Sequence, residues 1–531
     1  MALQERPEVR TLEDGSKVWE HKYDSFYLKA YVPANDLDGQ INNYSFTAPL
    51  ILVFEEEKND MAAAVDFAKK TGLGAIASAH DSSVLFVYPT AACGWKNAPE
   101  NLYADIIAEV RMDTVYSDGI TEFHDFFAKV FRGYFIRGAK FRTDIYSFGE
   151  SADYVAKNLL KTLRGEYLWG PGEITPAMCS MERLRVVPDV ERKDIPVLSV
   201  GNSPEINKAF EGCEHLLVKD SADYAADFKG FVRKFKMWCG QIQIEPDFEE
   251  LNFVEEAGSV LVKTSKNNFG AFKDKPEHKV GYFAYYNKGI FDKGPVPLLV
   301  GCHGGGDSSM YLTYVAGVWQ VAHDHDILYV AIENHLDVTP TEIIDVIEDL
   351  KKRYSIDEKR IYIGGFSMGS GKTQDMFCEY PEYFAGLLPC SALFPMKDNI
   401  FSHPMWEINQ DKPVPLFYSG GQASPLPELP CQAESCLDRA KYMARVNDLK
   451  ADFESLKFED KDKWADPIWG IPGDRTERIY DESRDAYLEI NYYDSKDGVC
   501  RTAFASVTGQ QHECRHHSVE NAWNFVSKFT R

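Results

Sequence analysis

The sequence predicts an α/β protein built as two copies of one strand-and-helix plan. Three observations lead there. Short apolar, β-branched runs alternate with helical patterns, as in a mostly parallel sheet with helices on both faces. The same order of runs recurs in the two halves of the chain. At 531 residues the chain is also too long for one ordinary domain.

In the first half, residues 1–45 are polar with short alternating runs such as FYLKAYV at 26–32, which read as antiparallel edge strands. Residues 50–54 (LILVF) are continuously apolar, as a strand buried on both faces should be. A helical pattern follows at 62–70, then a second buried strand at 84–89. Residues 144–152 (DIYSFGESA) read as a strand running into a turn, with a helix over 154–163. Residues 195–201 form another strand, and 228–238 are expected to close the half as a helix.

The second half repeats this order. Residues 297–300 take the place of 50–54, 322–330 echo 79–87, and 360–367 echo 143–151. Residues 414–420 echo 195–201, each followed by a Ser-Pro pair, and 525–529 echo 231–235. Five echoes in one order predict two lobes, 1–245 and 246–531, joined between Cys239 and about Val260 where GQIQIEPDFEE is polar.

Composition bounds the function. Apolar residues at 44% and charged ones at 26% are those of a soluble globular protein. A net charge of −24 argues against nucleic-acid or anionic-membrane partners, which call for a basic face. The start, MALQERPEVR, has no apolar core, and no apolar run approaches the ~18 residues of a membrane span. A cytoplasmic protein is expected, with its eleven scattered cysteines reduced. Neither Cys431 with Cys436 nor Cys500 with Cys514 has the partners of a zinc site, so no metal and no cofactor are expected.

The chemistry concentrates at Gly365-Phe366-Ser367-Met368-Gly369. It follows a short strand, residues 361–363, and matches the nucleophile-elbow pattern G-x-S-x-G. The glycines let a strand and a helix pass closely, so that a serine on the strained turn points its Oγ outward. The Met368 amide, at the helix start, then faces the oxygen of an acyl group under attack. Gly371-Lys372-Thr373 also resembles the end of a phosphate loop, but the required glycine is absent at Phe366. A plain strand-turn-helix with an idle serine is the other alternative.

Gly301-Cys302-His303-Gly304-Gly305-Gly306 follows the first core strand of the second half. Consecutive glycines there can turn amides inward as an oxyanion hole, formed by Gly304 and Gly305 with Met368. His303 is expected to orient this loop. The first half carries Glu55-Glu56-Glu57 at that place, so Ser151, in Gly149-Glu150-Ser151, lacks a matching hole. That lobe is expected to be degenerate and non-catalytic.

Serine needs a base, and the base should fall between the last strand and the last helix. A hairpin is expected around residues 495–498, then Gly509-Gln510-Gln511-His512-Glu513, then a helix over 519–529. His512 is the candidate, with His516 and His517 as rivals at the helix entry. The acid should lie in the loop after 416–418, which has no aspartate. Glu428 is the candidate, with Glu434 behind it and Gln422 able to offer only a neutral hydrogen bond.

Taken together, HGGG after a core strand, residues 354–369, the segment Tyr380-Pro381-Glu382-Tyr383-Phe384-Ala385, His512-Glu513 and the closing Ala522-Trp523-Asn524-Phe525 resemble the polyhydroxybutyrate-depolymerase and feruloyl-esterase branch of the α/β-hydrolases. The resemblance covers roughly residues 260–531. It implies two tandem α/β-hydrolase-like lobes and a serine esterase forming an acyl-enzyme, with the family's nucleophile on Ser367 and its base on His512. The family's usual aspartate has no clear match here. The expected substrate is a small or oligomeric carboxylic ester, such as a hydroxycinnamate or short-chain acyl ester. Amide or peptide cleavage by the same groups and an inactive binding scaffold are the alternatives. An insertion near 431–480 is expected to form a lid, where Trp464 and Trp469, with Trp406, stack on an acyl group or pack in the core.

Overall fold

The computed structural model describes residues 8–34, 49–80, 82–113, 136, 138–167, 170–238, 241–263, 277–304, 309, 311–333, 338–393 and 409–531. The chain forms two compact units, Met1–Pro246 and Asp247–Arg531.

The first unit holds β1 (Arg10–Thr11), β2 (Lys17–Lys22), β3 (Phe26–Val32), β4 (Pro49–Phe54), β5 (Val84–Pro89) and β6 (Ala139–Phe148). A hairpin of β7 (Arg164–Tyr167) and β8 (Gly170–Glu173) stands apart. Then come β9 (Met178–Glu182), β10 (Val197–Val200) and β11 (Leu216–Lys219), and a second hairpin of β12 (Phe235–Trp238) and β13 (Gln241–Ile244). The main sheet has the order β1-β2-β3-β5-β4-β6-β9-β10-β11. It is antiparallel from β1 to β5 and parallel from there on. Every residue of β4 is buried, which is why its sequence is continuously apolar.

The second unit holds β14 (Phe253–Val262), β15 (His278–Asn287), β16 (Val296–Cys302), β17 (Leu328–Ile332), β18 (Ile356–Phe366), β19 (Gly386–Cys390), β20 (Leu416–Gly421), β21 (Arg475–Asp481), β22 (Ala486–Asp494) and β23 (Cys500–Val507). Their order is β14-β15-β17-β16-β18-β19-β20-β23-β22-β21. The six strands from β17 to β23 are parallel, and both flanks are antiparallel. The helix Pro340–Arg353 is set by a Thr339–Glu342 capping box, by Pro340 in its first turn and by three basic residues in its last.

Two expectations are corrected, and one alternative is resolved. Residues 228–238 do not form one helix: a helix ends at Gly230, a 3₁₀ turn spans Val232–Lys234, and Phe235–Trp238 is β12. Phe235, Lys236 and Met237 are all buried, Lys236 in an ion pair with Glu245, and the backbone is held by antiparallel pairing with β13, Phe235 opposite Ile244 and Trp238 opposite Gln241. The echo of 231–235 in 525–529 therefore fails, because Phe525 lies in the helix His516–Val526. Of the two readings of Trp469, packing in the core is the one the structure supports. It is 1% exposed, stacks on Phe504 at 4.8 Å and meets Tyr418 edge-on. Trp464 packs against the same core and donates its indole N–H to the Lys457 carbonyl at 3.1 Å, while Trp406 lies outside the described residues.

Trp469→Ala should thus behave as a core truncation of the second unit. The expected loss is about 3–5 kcal/mol in urea unfolding, with the spectrum of the folded state retained in buffer.

Candidate active site

Ser367 joins β18 to the helix Met368–Glu379 with φ 53° and ψ −114°. A side chain rarely adopts this conformation, and about 1–3 kcal/mol of strain is expected. Close packing enforces it. A Cβ on Gly369 would lie 2.6 Å from the His303 carbonyl and still closer to that of Cys302. A Cβ on Gly365 would lie 2.8 Å from the Cys302 carbonyl. The turn is tied on both sides, since the Ser367 amide donates to Cys390 at 2.9 Å and its carbonyl accepts from Gly371 at 3.1 Å. Met368 opens the helix, so its amide has no carbonyl one turn back.

The structure brings Ser367, His512 and Glu428 into one hydrogen-bonded chain. His512 Nε2 lies 2.8 Å from Ser367 Oγ, and Nδ1 lies 2.5 Å from Glu428 Oε1. The pair of contacts defines the tautomer: Nδ1–H donates to the carboxylate, and Nε2 is free to accept from the serine. His512 sits on the turn between β23 and the last helix, and its ring packs on Phe366. Its loop is pinned where Ser391 Oγ and Gln510 Nε2 both donate to the Glu513 carbonyl, at 2.8 and 2.9 Å.

Glu428 is fully buried, not a solvated loop residue. Its Oε2 accepts the Gly421 amide at 2.6 Å, at the end of β20, and its Oε1 also accepts from Ser424 Oγ at 2.7 Å. Tyr418 donates its hydroxyl to the Glu428 carbonyl at 2.6 Å, and the Glu428 amide donates to Gln432 at 2.8 Å. Ser424, Gly421 and Tyr418 were not singled out by sequence. The available signal was Ser424 four residues before the only carboxylate of that loop.

The other candidates are placed elsewhere. Glu434 is exposed at the start of a helix. Gln422 donates to Glu489 and Ser506, both at 3.0 Å. His516 and His517 are the first residues of the last helix, and His516 Nδ1 faces the Gly317 carbonyl at 3.2 Å. Lys372 is buried and donates to the Val338 carbonyl at 2.8 Å, while Thr373 donates to Gly369 at 2.9 Å. Both side chains are turned to the protein, so neither is presented to a phosphate.

Ser151 is also displaced from the expected correspondence. The residue of the first unit with Ser367's backbone angles is Gly149, at φ 53° and ψ −114°, two positions earlier. Ser151 is buried and donates to the Phe54 carbonyl at 2.7 Å while accepting the Phe148 amide at 2.8 Å. The echo of 143–151 in 360–367 is thus out of step by two residues, because it aligned serines and not turns. Above Gly149 stands Glu56, paired with Arg183 at 2.8 Å.

At the glycine loop, Gly304 closes on the elbow: a Cβ there would lie 3.4 Å from that of Ser367. Gly305 lies outside the described residues. His303 is buried, with Nδ1 2.8 Å from the Gly304 carbonyl and Nε2 3.0 Å from the Glu333 carbonyl. Burial pushes its pKa down to about 4, so the ring is neutral at pH 7. Among the described residues, no group of three or more His, Cys, Asp or Glu is placed to hold a metal, and no helix is long and apolar enough to cross a membrane.

No family model matches the chain. A bifunctional acetylxylan esterase/xylanase from Neocallimastix patriciarum is 33% identical over 79 residues, 15% of this chain. The match spans 10% of that protein's length. Among solved structures, an acetyl xylan esterase from Aspergillus awamori is similar at a TM-score of 0.36 with 12% identity, over 51% of this chain and 98% of that one. A mutant feruloyl esterase module from Clostridium thermocellum, complexed with sinapinate, is similar at a TM-score of 0.30 with 12% identity, over 54% of this chain and 92% of that one.

The depressed pKa of His303 links the glycine loop to acid stability. An unfolded histidine takes its proton near pH 6.5, whereas the buried ring resists to about 4. Its contribution is therefore complete above pH 6.5 and is lost as pH falls toward 4. His80 of the first unit, also pushed down to about 4 by burial, acts in the same window. His303→Gln should flatten, without abolishing, the fall in urea midpoint between pH 6.5 and 4.

Proposed function

We propose that the chain is a serine esterase of the α/β-hydrolase fold, with Ser367 as nucleophile, His512 as base and Glu428 as the acid. The observation that carries this reading is the unbroken chain Ser367–His512–Glu428, at 2.8 and 2.5 Å, on a turn whose backbone is strained at the serine. A serine hydroxyl is a poor nucleophile until a base takes its proton. Ser367 Oγ attacks the ester carbonyl as its proton passes to His512 Nε2. Glu428 stabilises the imidazolium that forms and holds the ring in place. The amides of Met368 and Gly304, with Gly305, receive the negative oxygen. Collapse of that intermediate releases the alcohol, which takes the proton from His512. Water then attacks the acyl-enzyme by the same route and releases the acid.

The sequence resemblance to polyhydroxybutyrate depolymerases and feruloyl esterases directs the substrate proposal to small or oligomeric carboxylic esters. These include hydroxycinnamate and short-chain acyl esters. Acetyl esters of xylan, the class in the name of the matched Neocallimastix protein, fall within it. Amide cleavage by the same groups is the second reading, because nothing in this chain of hydrogen bonds favours an alcohol over an amine as leaving group. A buried carboxylate on His512 weighs against the inactive-scaffold alternative.

For the first unit we propose a degenerate, non-catalytic copy of the same fold. Several features support it. Its strands β5-β4-β6-β9-β10-β11 have the connectivity of β17-β16-β18-β19-β20-β23. The pairing of β4 with β6 and that of β16 with β18 both shift register at the same end. Gly149 holds the turn that Ser367 holds in the second unit, and Glu56 covers it.

Hydrolysis of p-nitrophenyl acetate, p-nitrophenyl butyrate and methyl ferulate tests these assignments. Ser367→Ala should abolish turnover and fluorophosphonate labelling. Glu428→Gln should lower kcat by roughly 10²–10⁴-fold with the protein still folded. Ser151→Ala should leave turnover in place. Labelling that survives Ser367→Ala would refute the nucleophile assignment.

A further inference from the structure

We infer that Glu333 is a positioning residue that clamps both ends of the glycine loop after β16, and thereby sets where the Gly304 amide stands relative to Ser367. The inference rests on the esterase reading above. Glu333 follows β17, the strand beside β16, and its own amide donates to the Gly281 carbonyl at 3.0 Å. The sheet therefore sets its position, not the loop. From there it reaches two places in the chain. Its carbonyl lies 3.0 Å from Nε2 of His303, the residue immediately before Gly304. Its carboxyl Oε1 is hydrogen-bonded by the hydroxyl of Ser309, five residues beyond Gly304.

A carboxyl group is an expensive choice for this place. Glu333 is fully buried, and its Oε2 is buried with no hydrogen-bond partner among the described residues. Burial pushes its pKa up to about 7. An apolar residue would pack there without that cost but could not hold Ser309. The tie continues beyond Ser309. Its carbonyl accepts from Thr313 Oγ1 at 3.0 Å, in the π-turn Tyr311–Val315. Tyr311 packs on Phe366, and its hydroxyl accepts the amide of Cys514, two residues past His512, at 2.9 Å. One acid thus connects the glycine loop to the segments that bear the nucleophile and the base. Since a Cβ on Gly304 would lie 3.4 Å from that of Ser367, a small slip of the loop is felt at the reacting carbonyl.

The test compares Glu333→Leu, Glu333→Gln and Ser309→Ala with wild type in p-nitrophenyl butyrate hydrolysis, each first checked for cooperative thermal unfolding. Glu333→Leu and Ser309→Ala should each lower kcat by about 10- to 100-fold with KM within about twofold, as expected when transition-state contacts alone are misplaced. The double variant should be no worse than the poorer single one, because both cut the same tie. Glu333→Gln keeps an acceptor for Ser309 and should restore kcat to within about threefold. A folded Ser309→Ala with wild-type kcat would overturn the clamp, as would Glu333→Gln matching the loss in Glu333→Leu. If Glu333→Leu does not fold, Ser309→Ala decides alone. A wild type without Ser367-dependent turnover or labelling would instead overturn the esterase reading, and the clamp with it.

Discussion

The second unit depends on one close approach, that of the elbow helix to the carbonyl end of β16. Gly369 passes the carbonyls of Cys302 and His303 at a separation that leaves no space for a methyl group. Gly365 meets the same strand from below. This contact does two things at once. It presses the turn into positive φ, which turns Ser367 out of the sheet. It also brings Gly304 beside Ser367, next to the first helical residue, Met368. The positions of Ser367 and of Gly304 are therefore set by the same packing.

The acid is held by a different device. Position 421, where β20 ends, is a glycine whose amide donates to the Glu428 carboxylate from a distance of seven residues. A glutamate reaching from that far down the loop would be free to wander in water. Here Ser424, the Gly421 amide and His512 together take up its two oxygens, and Tyr418 and Gln432 hold its backbone. Three donors on its two oxygens offset the cost of burying a carboxylate. The length of the side chain is thus offset by the number of its tethers.

Much of this was legible in the sequence, for physical reasons. Buried parallel strands must be apolar on both faces, so 50–54, 84–89 and 297–300 announced themselves. The glycines of the elbow and the loop are steric requirements, which residue identity reveals directly. His512 was reachable from chain order. What stayed hidden depends on tertiary contacts. The strand β12 reads as helix because Phe231, Phe235 and Trp238 fall at helical spacing. Trp469 could serve a pocket or a core equally well until its neighbours Phe504 and Tyr418 were known. Glu428 was nameable only as the nearest carboxylate, since nothing local marks a glutamate as buried. Ser309 and Glu333 lie 24 residues apart, and no local pattern joins them.

Gly149 and Ser367 together separate what the turn requires from what the chemistry requires. Both have φ 53° and ψ −114°. The turn itself is served best by glycine, which adopts positive φ without a steric penalty. The first unit uses glycine there. The second unit places a serine at the same angles and accepts strain of about 1–3 kcal/mol. Packing does not explain that choice, because a glycine would fill the position with less strain. The hydroxyl accounts for it: its Oγ lies 2.8 Å from His512, whose other nitrogen is bound to a buried acid. A strained serine at a place where glycine suffices is what the proposed nucleophile requires, and Gly149, at the same angles, has no hydroxyl to offer.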